Sequence, residues 1–144
     1  MWKPLNHRIT QWHGRRVWVV GASSGIGAAL AQALLQAGAR VVLSARSASG
    51  LAQVAAGHPL AEVLPLDVTD ATAWAQAAHT LQQQGAAPDL VVFCAAVYRP
   101  QHSWELQADE VAHTLQTNLA GVYYGLQAVL PGMRTHGRGG VAIV

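Results

Sequence analysis

The sequence predicts an α/β fold, a doubly wound parallel sheet, on three observations. Short Val-rich runs alternate with longer Ala-, Leu- and Gln-rich ones from Arg15 onward, the order expected of βαβ units. The short runs are almost continuously apolar rather than alternating, which suits strands covered by helices on both faces. And 144 residues, of which 51% are hydrophobic and 11% charged, suffice for one globular domain with a real core but not for two.

Strands are predicted over residues 17–20, 40–45, 62–66, 90–94 and 141–144. The first helix, 26–36, carries Ile26, Leu30, Leu34 and Leu35 on one face and stops before Gly38, a C′ residue. Short crossover helices follow over 47–56 and 71–84, the second announced by Thr69 or Asp70 as N-cap and closed by Gly85. The longest helix runs from 109 to about 130, with Val111, Leu115, Leu119, Val122, Leu126 and Val129 three or four apart. Pro131 marks its end or a kink. Residues 1–15 read as an N-terminal extension and 16–144 as the domain.

Charge excludes some functions. The net charge of +2 comes from eight Arg and one Lys scattered singly among seven acids, so there is no basic stripe for nucleic acid. Trp2, Trp12 and Trp18 lack interleaved cations and read as packing residues. Polar residues such as Lys3, Asn6, His7, Arg8, Gln11 and His13 break any signal-peptide core, and no apolar run reaches the roughly 18 residues of a membrane span. The histidines, at 7, 13, 58, 79, 102, 113 and 136, show no i, i+4 pair and no metal-ligand spacing, so no metal site is expected. A lone Cys94 rules out an internal disulfide framework and fits a reducing compartment; a cytoplasmic protein is the expectation.

The chemistry is carried by Gly21-Ala22-Ser23-Ser24-Gly25-Ile26-Gly27, which leads from the first strand into the first helix. A dinucleotide's pyrophosphate needs a tight turn after the strand, a backbone it can approach without a Cβ in the way, and helix N-terminal N–H groups aimed at the anion. Glycines at 21, 25 and 27 meet those needs; the alternative is a structural turn only. At the end of the second strand, where an acid would bind a ribose 2′-hydroxyl, stand Ala45 and Arg46. Ala45 leaves room and Arg46 can pair with a 2′-phosphate, which favours NADP(H) over NAD(H); the alternative is a solvated arginine.

The G-x-x-x-G-x-G spacing resembles that of the short-chain dehydrogenase/reductase family, and the resemblance extends along most of the chain. It implies a Rossmann-like sheet, cofactor contacts from Gly21, Ser23, Ser24, Gly25, Ile26 and Gly27, and an adenine-contacting segment at Asp67 and Val68. Asp67 or Asp70 can equally be a helix cap. The family's Asn-Ala-Gly is here Cys94-Ala95-Ala96, on the ribose side of the cleft, and Cys94 reads as a small buried residue. Asn118, in Thr117-Asn118-Leu119-Ala120-Gly121, matches the family's Asn-x-x-Gly, whose Asn perturbs the helix and holds a water of the proton relay; the alternative is a polar surface or interhelix contact. Gly121, in a helix interior, points to close packing or a helix irregularity.

The family's catalytic Ser and Tyr-x-x-x-Lys come after its fifth strand, within which this sequence stops. Its only lysine is Lys3, and Tyr98, Tyr123 and Tyr124 are followed four residues on by His102, Gln127 and Ala128. The expectation is therefore an NADP(H)-preferring oxidoreductase acting on a small-molecule carbonyl or secondary alcohol, of which this chain supplies the cofactor-binding half and is inactive alone. Its sheet is expected to be truncated, with an open edge, and the longer parent to be a homo-oligomer. Tyr98-Arg99-Pro100, after the fourth strand, is expected to line the cofactor or substrate crevice. The alternative is a non-catalytic dinucleotide-binding or interaction module.

Overall fold

The computed structural model describes residues 9–85 and 87–144; Trp2, Lys3, Asn6, His7 and Arg8 lie outside the described residues. Five strands, β1 (Arg16–Val20), β2 (Arg40–Ser44), β3 (Ala61–Val63), β4 (Leu90–Phe93) and β5 (Gly140–Ile143), form one sheet in the order β3-β2-β1-β4-β5. Every pairing is parallel. The order reverses between β2-β1 and β4, and that reversal opens a crevice at the carboxyl ends of β1 and β4.

Alternate residues of each strand feed two separate cores. Trp18, Val20, Val42, Val91 and Phe93 pack against Trp74 and Leu81 of α3 (Ala71–Gln83) and Val129 and Met133 of α5 (Gly121–His136). Val17, Val19, Val41, Leu43 and Val92 face the other way, onto Leu34 and Leu35 of α1 (Gly25–Gln36) and Leu51 of α2 (Ala48–Ala55). Burial on both faces accounts for the unbroken apolar runs. Ser44, the one fully buried polar residue in the described core, accepts from the Trp18 indole at 2.8 Å and donates to the Leu64 carbonyl at 2.6 Å, tying β1, β2 and the β3 exit together.

The helix ends follow local chemistry. Ser47 caps α2 by accepting from Gly50 N–H, and Asp70, not Thr69, caps α3 by accepting from Thr72 and Ala73. Gly38 and Gly85 take positive φ just past α1 and α3. Three expectations are corrected. β3 ends at Val63 rather than at 66: Leu64 and Leu66 still donate to Leu43 and Ala45, but Pro65 between them has no N–H. The single helix expected over 109–130 is three pieces: α4 (Ala108–Leu115), a π segment (Gln116–Ala120) and α5. Nor does Pro131 end it, since α5 runs through to His136 before Gly137 closes it in the left-handed region. The remaining strand and helix boundaries shift by a residue, as fraying ends do.

Gly121, at the junction of the π segment and α5, sits where a Cβ would come within 2.9 Å of the Val68 carbonyl oxygen. Its absence lets α5 close on the loop before α3, which brings the π segment to the rim of the crevice.

Candidate functional site

The glycine turn is built to be bare. Gly21, at φ +90, turns the chain out of β1 while its N–H and that of Ala22 bond the Ser44 carbonyl at 2.7 and 3.0 Å. A Cβ on Gly21 would collide with the backbone of Cys94 and Ala95, and one on Gly27 with the Gly21 carbonyl, so both positions are demanded by packing. Gly25 differs. A Cβ there meets nothing within 4 Å, yet φ is +56, so what calls for glycine is backbone geometry and the open space in front of it.

Gly25 also begins α1. Ser24 is its N-cap residue, but the Ser24 side chain makes no capping bond and the first turn holds no acid. The first N–H groups of a helix have no intrahelical partner, so this end is an uncapped, partly positive terminus. Ile26, 68% exposed, stands beside it with no core to fill.

In front of this terminus lies a cleft of about 490 Å³. Gly21, Ser23, Ser24, Gly25, Ile26 and Gly27 line it from β1; Ala45, Arg46 and Ser47 from β2; Asp67, Val68 and Thr69 from β3; Cys94, Ala95, Ala96 and Val97 from β4. Each residue expected to touch the cofactor thus reaches the same space. Arg46 is exposed there. Asp67 folds into a local turn, accepting from Thr69 N–H at 2.9 Å and Thr69 Oγ1 at 2.7 Å. Those two bonds, and behind them the charges of Arg46 and His113, hold its carboxyl below the ordinary value. Asp70, not Asp67, caps α3, while Asp67 lines the cleft.

Cys94 is half-buried rather than buried, because its side chain lies beneath the glycine turn at the cleft wall. Burial alone pushes its thiol pKa up from the ordinary value.

Asn118 does not line this cleft. It sits in the π segment, where its side-chain amide pairs with the Val97 backbone in both directions: Val97 N–H donates to Oδ1 at 2.7 Å and Nδ2 donates to the Val97 carbonyl at 2.8 Å. The clamp divides the cleft from a second cavity of about 490 Å³ lined by Val97, Tyr98, Arg99, Leu106, Glu110 and Asn118 among others. Tyr98 and Arg99 thus face this neighbouring cavity, where Arg99 pairs with Glu110 at 2.8 Å. The sequence reading did not single out Val97 or Thr117 as site residues, although both line the cofactor-side cleft. Adjacency to Ala96 and Asn118 was the only signal for them.

A parallel sheet with a glycine-lined helix terminus at its order reversal defines a dinucleotide-binding α/β protein. The family model for short chain dehydrogenases matches residues 15–144, and the chain belongs to that family. It is 35% identical over 136 residues to an uncharacterised oxidoreductase of Staphylococcus haemolyticus, covering 92% of this chain and 58% of that protein. To the 2-keto-3-deoxy-L-fuconate dehydrogenase of Xanthomonas campestris it is 37% identical over 134 residues, covering 92% and 43%. A gluconate 5-dehydrogenase from Burkholderia cenocepacia, solved in complex with NADP and tartrate, superimposes with a TM-score of 0.83 at 28% identity, covering 92% of this chain and 54% of that one. The chain thus spans about half the length of these relatives. Since they are oxidoreductases, they do not favour a non-catalytic module.

The residues present fit the family's nicotinamide dinucleotide on the structure's own terms. The cleft has an anion-accepting helix end, no side chain at Gly25 to obstruct a diphosphate, and a cation and a carboxylate at its far side. Among the described residues, no helix is long and apolar enough to cross a membrane.

Proposed function

We propose that residues 16–144 are the cofactor-binding unit of an NADP(H)-preferring oxidoreductase acting on a small-molecule carbonyl or secondary alcohol. The observation that carries this is the uncapped, acid-free start of α1 opening through Gly25 onto the cleft. The bound nicotinamide supplies or accepts the hydride. This chain's residues bind and orient: the backbone of Gly21–Gly27 takes the diphosphate, Arg46 the 2′-phosphate, Asp67 and Val68 the adenine, and Cys94, Ala95 and Ala96 flank the ribose. Asn118 holds the β4 exit at Val97 and thereby the wall on the reactive side.

Arg46 supports the phosphate preference because it is exposed at the cleft and no acid stands at the end of β2 to bind a bare ribose. Lys3 is the sequence's only lysine, so no tyrosine here has a lysine four residues on to assist proton transfer, and this chain by itself binds without turnover. Leu115, Leu119 and Tyr123, exposed at four-residue spacing, support association of the parent with copies of itself. The single cysteine supports a cytoplasmic setting.

The test is a fluorescence titration of the chain with NADPH and NADH. Arg46→Ala is expected to weaken NADPH binding about tenfold or more, the loss of a charge-assisted contact, and to change NADH binding little. Equal losses for the two cofactors remove the phosphate assignment, and no binding of either by the parent chain removes the function. The same samples are expected to show no carbonyl-dependent oxidation of NADPH.

A further inference from the structure

Among the described residues, the Thr117 hydroxyl is the one buried side-chain polar atom without a hydrogen-bond partner. Buried polar groups are almost always paired, so an orphan calls for an explanation in the residue's surroundings. Thr117 lies inside the π segment, where the regular helical ladder is interrupted, and it lines the cofactor-side cleft. On either side the same segment is pinned: Gln116 Nε2 donates to the Thr69 carbonyl at 3.3 Å, and Asn118 clamps Val97. Gly121 lies against Val68. Thr117 is thereby set over the space between Val68–Thr69 and the β4 exit, at the end of the cleft that holds Asp67.

From this placement we infer that Thr117 is a positioning residue for the adenosine half of the dinucleotide, its hydroxyl unpaired in the free protein and hydrogen-bonded in the complex. Threonine in a helix has two accessible χ1 wells, so a turn about one bond exchanges an internal position of the hydroxyl for one on the cleft. The nucleoside offers ring nitrogens and ribose oxygens as acceptors there. The inference rests on the cofactor reading above, and it makes a prediction of opposite sign for the two states. Removing the hydroxyl relieves an unpaired buried group in the free protein and deletes a bond in the complex.

The experiment compares Thr117→Val and Thr117→Ser with the parent chain, by thermal unfolding without ligand and by titration with NADPH, 5′-AMP and reduced nicotinamide mononucleotide. Thr117→Val is expected to unfold at the same or a higher temperature, yet to bind NADPH and 5′-AMP about two- to tenfold more weakly, the range of one neutral hydrogen bond. Thr117→Ser is expected to bind both within about twofold of the parent, since it keeps the hydroxyl. The mononucleotide, which lacks adenosine, is expected to show no change. Unaltered NADPH affinity in Thr117→Val overturns the inference while leaving the cofactor reading intact, as does an equal loss for the mononucleotide. A parent chain that binds no NADPH overturns both.

Discussion

The two walls of the cleft are made in different ways. On the β1 side, Gly21–Gly27 present backbone: a turn at positive φ, close contact with β4 and an open helix end, all within one short stretch of chain. On the β4 side, Val97 is held by the Asn118 side chain, 21 residues further along the sequence and carried by a π segment. The first wall needs particular residue types at fixed spacing, because an added Cβ would collide at Gly21 and Gly27 and the backbone takes positive φ at Gly21 and Gly25. The second needs only that one amide arrive at the right place, which depends on how α4 and α5 join.

The glycine wall should therefore break hardest, and in two distinguishable manners. Gly27→Ala puts a Cβ into the Gly21 carbonyl, a backbone atom that cannot swing aside. It is expected to lower stability by about 3 kcal/mol, at the upper end for overpacking, and to abolish NADPH binding because the turn itself is displaced. Gly25→Ala meets no atom and bears only the left-handed strain of about 1 to 2 kcal/mol, but it places a methyl where the proposed binding mode puts the diphosphate. Denaturant unfolding read beside NADPH titration separates them: Gly27→Ala loses both, whereas Gly25→Ala loses binding well out of proportion to stability. If Gly25→Ala keeps full affinity, the diphosphate does not lie there.

The β4 wall should yield more gently. Asn118→Ala removes two bonds of 2.7 and 2.8 Å from a backbone segment that is otherwise exposed to water, and such bonds are worth about 1 kcal/mol each when solvent can replace the partner. A stability loss of about 1 to 2 kcal/mol is expected, with faster amide hydrogen exchange at Val97 and a modest loss of NADPH affinity. An unchanged exchange rate at Val97 would mean that something other than Asn118 holds this wall.

The same contrast decides how much was legible in the sequence. The strand positions, the βαβ succession and the glycine turn were readable because they follow from short-range rules: unbroken apolar runs, a bare turn, a cap at Asp70. The π segment was not, since Leu115, Leu119 and Val122 keep helical spacing across it and the extra residue per turn leaves no mark on the apolar pattern. Asn118 and Gly121 were the only visible hints, and they became interpretable once Val97 and Val68 were seen to lie against them. Thr117 shows the limit most clearly: a threonine in a helix is unremarkable in sequence, and only its unpartnered oxygen distinguishes it.

Asp67 belongs to neither wall, and it gives the smallest and cleanest effect. Its folded pKa lies below the ordinary 3.8, first because the Thr69 N–H donates to it, next because the Thr69 hydroxyl does, and only then through Arg46 and His113. A depressed carboxyl favours folding above its unfolded pKa and gives that contribution up as pH falls through the folded value, so the window lies below about pH 4. Since Asp67 is exposed, the effect on stability is slight and is better followed at the carboxyl itself, by a carbon-detected magnetic resonance titration. Thr69→Ala removes the hydroxyl but not the backbone donor, so the midpoint should rise only part of the way to 3.8. Added salt should raise it less still, because it screens the Arg46 and His113 charges across solvent but not a hydrogen bond within one turn. A midpoint that salt moves more than the Thr69→Ala substitution does would make Arg46 the stronger partner of Asp67, and the charge at the β2 end would then be spent on a neighbouring carboxylate rather than left for a phosphate.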